Sequence, residues 1–363
     1  MNQKFIGRVS AMTMAGAMMI GGLQIPAMAA DGNDGVVQFQ KVLEMQQAPG
    51  ASVPNVTYTY SIAPGIAVGA TATSPEIKAG VGTPTVSDVS YVNGDTITQN
   101  EVTKNASITF PEGTFTAPGI YRYIITESAN SNADITDVDD NVRYLDVYVV
   151  NDNDGGYKID ASVFTEAADT PVFNDQNQPQ YDEKNSEITD AYKTYELSLD
   201  KVVTGNMGDK SRMFDFTINF SGPANSSFTF GNQKVNLDEN GAGSVNLQLA
   251  DGTTIAEITG IPSTVTYTVT ENLSSSEGYT TTFAVKKGEG NSQTVNKDTQ
   301  ASNSSKITAT SQTMTKQDNA VTVTNDRASA TPTGIVMSVT PYALLAALAS
   351  ALGALFFRRK KLS

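Results

Sequence analysis

Three kinds of chemically capable side chain recur in the same order in both halves of the chain. Each half carries a Lys early, a Glu later and an Asn near its end. All are in phase with apolar residues of a predicted β-strand, where alternate side chains share a face. The first set is Lys41, Glu127 and Asn174, and the second is Lys201, Glu271 and Asn325. A lone Lys in a strand usually guards an edge or extends its amine to solvent, and a lone Glu or Asn at a strand end is usually solvated. Because the ordered set occurs twice, the sequence favours a shared chemical role.

These residue types can form an amide bond between side chains. Burial lowers the pKa of a Lys and raises that of a Glu, so both can be neutral in a protein core. A neutral amine beside an Asn can attack the side-chain carbonyl while the Glu moves protons and ammonia leaves. Effective molarities of about 10⁵ M or more for aligned groups make such a slow reaction feasible. A Lys–Asn isopeptide bond would then join the first and last strands, and by analogy with disulfides would contribute about 4–5 kcal/mol.

The elements that must position these residues read as β-strands. Short alternating runs rich in Val, Ile, Thr, Tyr and Phe are separated by Gly, Pro, Asn and Asp, which is typical of antiparallel sandwiches. The sequence therefore predicts an all-β protein with two tandem immunoglobulin-like β-sandwich domains, at residues 30–174 and 194–325. The clearest predicted strands are 36–43, 56–62, 120–126, 143–150 and 157–164 in the first half, and 195–203, 213–220, 244–249, 253–258, 265–270, 280–285 and 320–325 in the second.

Polar stretches mark the predicted connections. Residues 175–193 are polar without an apolar period and are predicted to be an interdomain linker. Residues 286–319, rich in Ser, Thr, Lys and Asn, are predicted to be a mobile loop. The acidic run 151–156 is predicted to be a hairpin turn, since its spacing does not match a calcium-binding loop.

Both ends of the chain carry targeting signals. Residues 1–29 have Lys4 and Arg8, a weakly apolar run and a final Ala-x-Ala, which is typical of a signal peptide. At the other end, a spacer at 326–329 precedes the motif at 330–334, an apolar span at 335–357 and a basic tail at 358–363. The span is long enough to cross a bilayer, and the basic tail places the preceding chain outside the cell.

The C-terminal segment resembles a Gram-positive sortase sorting signal. That resemblance implies cleavage between Thr333 and Gly334 and transfer of the Thr333 carbonyl to an amine. The usual Leu-Pro-x-Thr-Gly pattern is not met, because Ala330 stands in place of the Leu and Thr331-Pro332 in place of Pro-x. A permanent membrane anchor is the alternative interpretation.

Composition excludes several classes of function. The formal charge is −14, and the two terminal segments carry six positive charges and no Asp or Glu, so the chain between them carries −20. Such a surface does not favour nucleic acid or anionic lipid. The chain has no Cys and no His, so it lacks disulfides, Cys nucleophiles and the commonest general base and metal ligand. No metal site or cofactor is predicted. A carboxylate-based glycosidase is disfavoured because Glu127 and Glu271 fall in different predicted domains.

Taken together, these motifs resemble the streptococcal-type major, or backbone, pilins, whose immunoglobulin-like domains hold autocatalytic Lys–Asn isopeptide bonds. The resemblance is carried by Val53-Pro54-Asn55, Gly119-Ile120-Tyr121-Arg122-Tyr123, Lys201-Val202-Val203-Thr204-Gly205, Gly208-Asp209-Lys210-Ser211, Tyr267-Thr268-Val269-Thr270-Glu271, Gly278-Tyr279-Thr280-Thr281 and Pro332-Thr333-Gly334-Ile335-Val336-Met337. It implies a bond Lys41–Asn174 assisted by Glu127 and a bond Lys201–Asn325 assisted by Glu271.

The same resemblance implies a structural role rather than a multiple-turnover enzyme. The expected partners are sortase, neighbouring pilin subunits and peptidoglycan, and the expected location is the cell wall and cell surface after secretion. A host surface ligand is left open. Backbone pilins of this type polymerise through a Lys near the last strand of the first domain, but residues 165–170 contain none. Lys158, Lys184 and Lys193 are the nearest candidates. The alternatives are a terminal pilus subunit and a monomeric sortase-anchored adhesin.

Overall fold

The structure, a computed structural model, describes residues 35–46, 50–176, 178–252, 256–273, 277–299, 306–309 and 311–329. The predicted signal peptide, sorting motif, apolar span and basic tail lie outside these ranges. Within them, no helix is long and apolar enough to cross a bilayer.

The described chain divides into two compact units. Residues 35–46 and 53–193 form the first domain, while residues 50–52 and 194–329 belong to the second. The longer segment of the second unit begins at residue 194, where the sequence analysis placed the start of the second domain. The predicted end of the first domain at 174 is too early, because the chain remains part of that domain through residue 193.

The first domain is a sandwich of two main sheets. One sheet has the order β5-β7-β1-β14-β9 and the other β11-β10-β8-β3, with β4 also pairing with β8. Two small ribbons, β2-β6 and β12-β13, complete it. The strands are β1 Val36–Gln46, β2 Val56–Tyr58, β3 Tyr60–Pro64, β4 Ile77–Ala79, β5 Thr85–Val86, β6 Val89–Tyr91, β7 Glu101–Thr109, β8 Gly119–Glu127, β9 Ile135–Asp137, β10 Val142–Asn151, β11 Tyr157–Thr165, β12 Val172–Phe173, β13 Pro179–Gln180 and β14 Glu187–Lys193.

The second domain is also a two-sheet sandwich. Its larger sheet has the order β18-β17-β20-β15-β26-β22-β23, and the other has β19-β16-β21-β24, with β25 also on β21. The strands are β15 Tyr195–Thr204, β16 Phe214–Ser221, β17 Ser227–Phe230, β18 Gln233–Asn236, β19 Ala242–Leu249, β20 Ala256–Ile261, β21 Thr266–Asn272, β22 Thr280–Lys287, β23 Gln293–Thr299, β24 Ile307–Thr308, β25 Gln312–Thr313 and β26 Asn319–Asp326.

Alternation of apolar residues explains why these segments form strands with one buried face. In β15 every second residue from Tyr195 to Val203 is buried, and Lys201 occupies one of those inward positions. The β26 strand alternates in the same way. Since strand side chains point to opposite faces in turn, the apolar pattern fixes the register and carries the Lys into the core with it.

In both domains the first strand pairs in parallel with a late strand of the same sheet. β1 runs parallel to β14, with Lys41 opposite Ile188, and β15 runs parallel to β26, with Lys201 opposite Val323. Parallel pairing brings residues from the two ends of a domain side by side in its core. A bond between such strands would close nearly the whole domain.

The predicted all-β, two-sandwich architecture is confirmed, and the acidic run 151–156 is the predicted hairpin turn, with Gly155 at a φ of +85°. Two predictions about connections are wrong. The predicted linker contains β13 and β14, and β14 is an interior strand of a sheet, between β1 and β9. The predicted loop after residue 286 contains β23, β24 and β25. In β14, the polar Glu187, Thr189 and Lys193 alternate with buried residues and concealed the periodicity of the strand.

Candidate functional site

A buried cluster in the second domain brings together all three residues that the sequence predicted there. Lys201 on β15 and Glu271 on β21 come from opposite sheets, and Lys201 Nζ lies 3.1 Å from Glu271 Oε1. Asn325 on β26 donates from Nδ2 to the same Oε1 at 2.7 Å. All three residues are fully buried. One carboxylate oxygen thus contacts both the amine and the amide nitrogen that would have to leave.

The surroundings of this cluster suit an amine that loses its proton. Burial lowers the pKa of Lys201 to about 8, against the opposing effect of the Glu271 carboxylate. The Lys201 amine lies 4.5 Å from the centroid of the Phe214 ring. Thr281 Oγ1 donates to Asn325 Oδ1 at 2.8 Å and so polarises the carbonyl that an amine would attack. The sequence analysis missed Thr281, although it is in phase with the apolar residues of β22.

The first domain contains a corresponding cluster with a different third member. Lys41 Nζ on β1 lies 2.8 Å from Glu127 Oε1 on β8 of the opposite sheet. It also lies 3.1 Å from Asp190 Oδ1 on β14. Lys41 and Asp190 are fully buried, and Glu127 is 5% exposed. The predicted Lys41 and Glu127 are therefore brought together, and a second carboxylate faces the amine.

Asn174 does not join this cluster, which corrects the predicted Lys41–Asn174 pair. It follows the two-residue strand β12 and caps the turn to β13. Asn174 Oδ1 accepts from the backbone N–H groups of Gln176 at 3.0 Å and Gln178 at 2.8 Å. Val172, the residue in phase with Asn174, is 51% exposed, so this short run does not face a core. Two in-phase residues do not define a strand, so the alternation of Val172 and Asn174 did not predict which way Asn174 faces.

Strand register shows that Asp190 takes the place that Asn325 has in the second domain. Asp190 lies two residues beyond Ile188, which pairs with Lys41, and Asn325 lies two residues beyond Val323, which pairs with Lys201. The sequence did carry a signal for Asp190, because Ile188, Asp190 and Tyr192 are in phase and all three are buried. The density of polar residues in 175–193 obscured it.

Tyrosines surround the first-domain cluster. The Lys41 amine lies 4.2 Å from the centroid of the Tyr58 ring, and Tyr91 donates its hydroxyl to the Lys41 carbonyl at 2.6 Å. Burial and the nearby Asp190 and Glu127 carboxylates raise the pKa values of Tyr58 and Tyr60, so both stay protonated. Burial also raises the pKa of Glu127, against the opposing effect of Lys41. The site therefore favours a proton-holding carboxyl beside the amine.

The three candidate polymerising lysines occupy different settings in the first domain. Lys158 on β11 is exposed and lies 3.6 Å from Asp152 of the hairpin turn. Lys193 is the exposed last residue of β14. Lys184 is half-buried between β13 and β14 and forms an isolated bridge to Thr165 at the end of β11. Thr333 and Gly334 lie outside the described residues.

Profiles of two protein families match the chain, one in each domain. Residues 37–178 match the Spy0128-like isopeptide containing domain, and residues 195–327 match a domain of unknown function, DUF7601. The first match carries the description of an isopeptide domain onto the region that holds Lys41 and Glu127. It ends before β14, so it does not include Asp190.

Similarity to whole pilins extends over both domains. A pilin of Streptococcus pyogenes serotype M1 is 27% identical over 326 residues, which is 86% of each chain. The crystal structure of the major pilin from Streptococcus pyogenes superposes with a TM-score of 0.61 at 22% identity, covering 82% of this chain and all of that one. The major pilin T3.2 of Streptococcus pyogenes serotype GAS13637 gives a TM-score of 0.58 at 25% identity, covering 81% of this chain and 99% of that one.

The chain has two β-sandwich domains, and in each a buried lysine on one sheet forms an ion pair with a glutamate on the other. The chain is similar to the streptococcal-type backbone pilins over most of its length, and residues 37–178 match the isopeptide-domain family. The curated relative is described as a pilin, and both matched structures are major pilins of Streptococcus pyogenes.

Proposed function

We propose that this chain is a shaft subunit of a Gram-positive pilus, polymerised and wall-linked by sortase through Thr333, with its second domain locked by a Lys201–Asn325 isopeptide bond. The observation that carries the proposal is the shared contact of Lys201 and Asn325 with Glu271 Oε1 in a fully buried site. Similarity to major pilins across both domains supports the assembly role.

The proposed bond follows from the geometry of the second domain. Lys201 Nζ attacks Cγ of Asn325, a Nζ–Cγ bond forms, and the Cγ–Nδ2 bond breaks. Glu271 accepts one proton from Nζ and delivers it to Nδ2, so ammonia leaves and Glu271 is regenerated. Each chain reacts once, so this is a maturation step rather than turnover.

Such a bond suits a subunit that carries load. The joined strands β15 and β26 lie near the two ends of the second domain and run in parallel. A pull on the chain termini reaches these strands first and would otherwise separate them by breaking hydrogen bonds. With the bond in place, the force passes through covalent links. A Cys-free exported chain has no disulfide to serve this purpose.

Lys184 is the favoured acceptor of the next subunit among the three candidates. It borders a cavity of about 170 Å³ in the first domain that is lined mostly by apolar and aromatic residues: Tyr148, Asp160, Ala161, Val163, Gln178, Pro179 and Tyr181. A cleft of this kind can hold an extended peptide while its C-terminal carbonyl reaches the amine. Lys158, by contrast, faces Asp152 at an exposed turn.

The test is a set of Lys→Arg substitutions in cells that carry the matching sortase. Arg keeps the positive charge but offers no transferable amine. Lys184→Arg is expected to abolish the ladder of high-mass species in wall extracts while leaving a wall-linked monomer. Lys158→Arg and Lys193→Arg are the matched controls and should keep the ladder. Thr333→Ala should remove both polymer and wall linkage.

Two results would contradict parts of this proposal. A ladder that persists in Lys184→Arg but disappears in one of the other variants would reassign the acceptor. A single mature band from the unsubstituted chain, with no ladder, would favour a monomeric sortase-anchored adhesin instead.

A further inference from the structure

We propose that the first domain forms a different cross-link, an amide between Lys41 Nζ and Cγ of Asp190, with loss of water instead of ammonia. This inference extends the amide chemistry proposed for the second domain, but it does not depend on polymerisation. It makes Asp190 a modification site and leaves Asn174 unmodified.

The Lys41 amine and the Asp190 carboxylate are in contact and sealed from solvent. The Lys41 amine lies 3.1 Å from Asp190 Oδ1, and both side chains have no solvent exposure. An ion pair sealed from water is costly to desolvate, whereas an amide in its place carries no charge. The condensation therefore removes two opposite charges from a core that cannot hydrate them.

Register identifies Asp190, and not Glu127, as the carboxyl that is joined. Asp190 holds the same place on the parallel strand as Asn325, while Glu127 comes from the opposite sheet, as Glu271 does. Asn130 Nδ2 donates to Asp190 Oδ2 at 3.5 Å, as Thr281 donates to the Asn325 carbonyl. Asp190 thus has one oxygen polarised by a donor and the other facing the amine.

The net charge of the cluster explains why Glu127 holds a proton. Lys41 with two ionised carboxylates would leave one uncompensated negative charge in the core, so the site favours one added proton. Burial raises the pKa of Glu127, which makes it a suitable holder.

The reaction balances with groups already present. One proton passes from the Lys41 amine to the Asp190 carboxylate 3.1 Å away, Nζ attacks Cγ, one Nζ–Cγ bond forms and one Cγ–O bond breaks. Glu127, whose Oε1 lies 2.8 Å from Nζ, gives its proton to the departing hydroxyl, which leaves as water, and takes one proton from the nitrogen in return. No oxidant, reductant or further reactant is required. Glu127 ends in the protonated state in which it began.

The test is peptide mapping of the full-length chain after digestion with trypsin. The structure predicts a branched peptide that joins the Lys41 peptide to residues 185–193, lighter than the two parts by about 18 Da. Asp190→Ala is expected to abolish the branched peptide. Asp137→Asn, at an exposed position opposite Asp190 on β9, is the matched control and should keep it.

A second variant keeps the test sound if Asp190→Ala fails to fold. Asp190→Asn has nearly the same shape, and an amide formed with loss of ammonia from Asn is chemically identical to one formed with loss of water from Asp. The branched peptide should therefore have the same mass in the parent and in Asp190→Asn, although the unreacted 185–193 peptide is lighter by about 1 Da in the variant.

Two outcomes would overturn the inference. Recovery of unmodified linear Lys41 and 185–193 peptides from the folded parent would exclude the bond. A branched peptide joining Lys41 to residues 123–143 would show that Glu127 is the joined carboxyl. The same digest reports the proposed Lys201–Asn325 bond separately, as a branch to residues 317–327, so failure of one cross-link is distinguishable from failure of the other.

Discussion

Replacing Glu271 with Gln tests the proposed chemistry of the second domain most directly. Gln keeps the shape of the side chain but cannot take a proton from Lys201, which lies 3.1 Å from Glu271 Oε1. The variant should therefore fold with Lys201 and Asn325 unjoined. Its mass should be higher than that of the parent by about 17 Da from the retained ammonia, less about 1 Da for the substitution itself.

The expected loss of stability follows from the loop that the bond closes. Joining Lys201 to Asn325 closes more than 100 residues, for which the chain-entropy relation gives roughly 5 kcal/mol. A domain of this size shifts its melting temperature by about 3–5 °C for each kcal/mol, so the second domain should melt roughly 15–25 °C lower. Calorimetry of the full chain should show the transition of the first domain unchanged.

Two companion variants separate the bond from other effects of the change. Lys201→Met removes the bond and the buried amine together, so comparison with Glu271→Gln separates loss of the bond from burial of an unpaired amine. Glu257→Gln, an exposed position on β20 of the Lys201 sheet, is the matched control and should alter neither cross-link nor melting temperature. Retention of the branched peptide in Glu271→Gln would refute the proton-transfer role. Loss of the peptide with no more thermal effect than Glu257→Gln would refute the energetic argument.

Two further predictions concern titration and buried charge. In Asn325→Ala, Lys201 stays unreacted, and burial lowers its folded-state pKa to about 8. Between about pH 8 and 10.5 the unfolded chain therefore binds more protons than the folded chain. The free energy of unfolding should rise with pH in this range and be flat below it. Urea unfolding up to about pH 9.5 measures this slope, and the double variant with Lys201→Met should lack it. In the first domain, Arg122 Nε and Nη2 donate to Asp146 at 2.7 and 2.6 Å in a buried pair. Asp146→Ala should therefore lower the free energy of unfolding by about 3–5 kcal/mol, because it leaves the buried guanidinium without a counter-charge. The partly exposed Asp95 pairs with Lys104, and Asp95→Asn should cost less than about 1 kcal/mol in the same denaturation assay.

The first domain shows where sequence reasoning reached its limit. Lys41 and Glu127 could be found because each follows a long apolar alternation that predicts an inward face. Asp190 was not assigned in this way, because β14 has seven residues and its polar Glu187, Thr189 and Lys193 interrupt the apolar pattern. A run that resembles a linker becomes a central strand only through its pairing with β1.

What the sequence by itself determined is the set of buried residue types and their faces. Strand periodicity is a local property, so it places Lys41, Lys201, Glu127, Glu271 and Asn325 inward without knowledge of their neighbours. The tertiary structure decided which of them meet. The parallel pairing of the first and last strands depends on contacts between residues far apart in the chain, and local pattern carries no information about that partner. That pairing put Asp190, and not Asn174, beside Lys41.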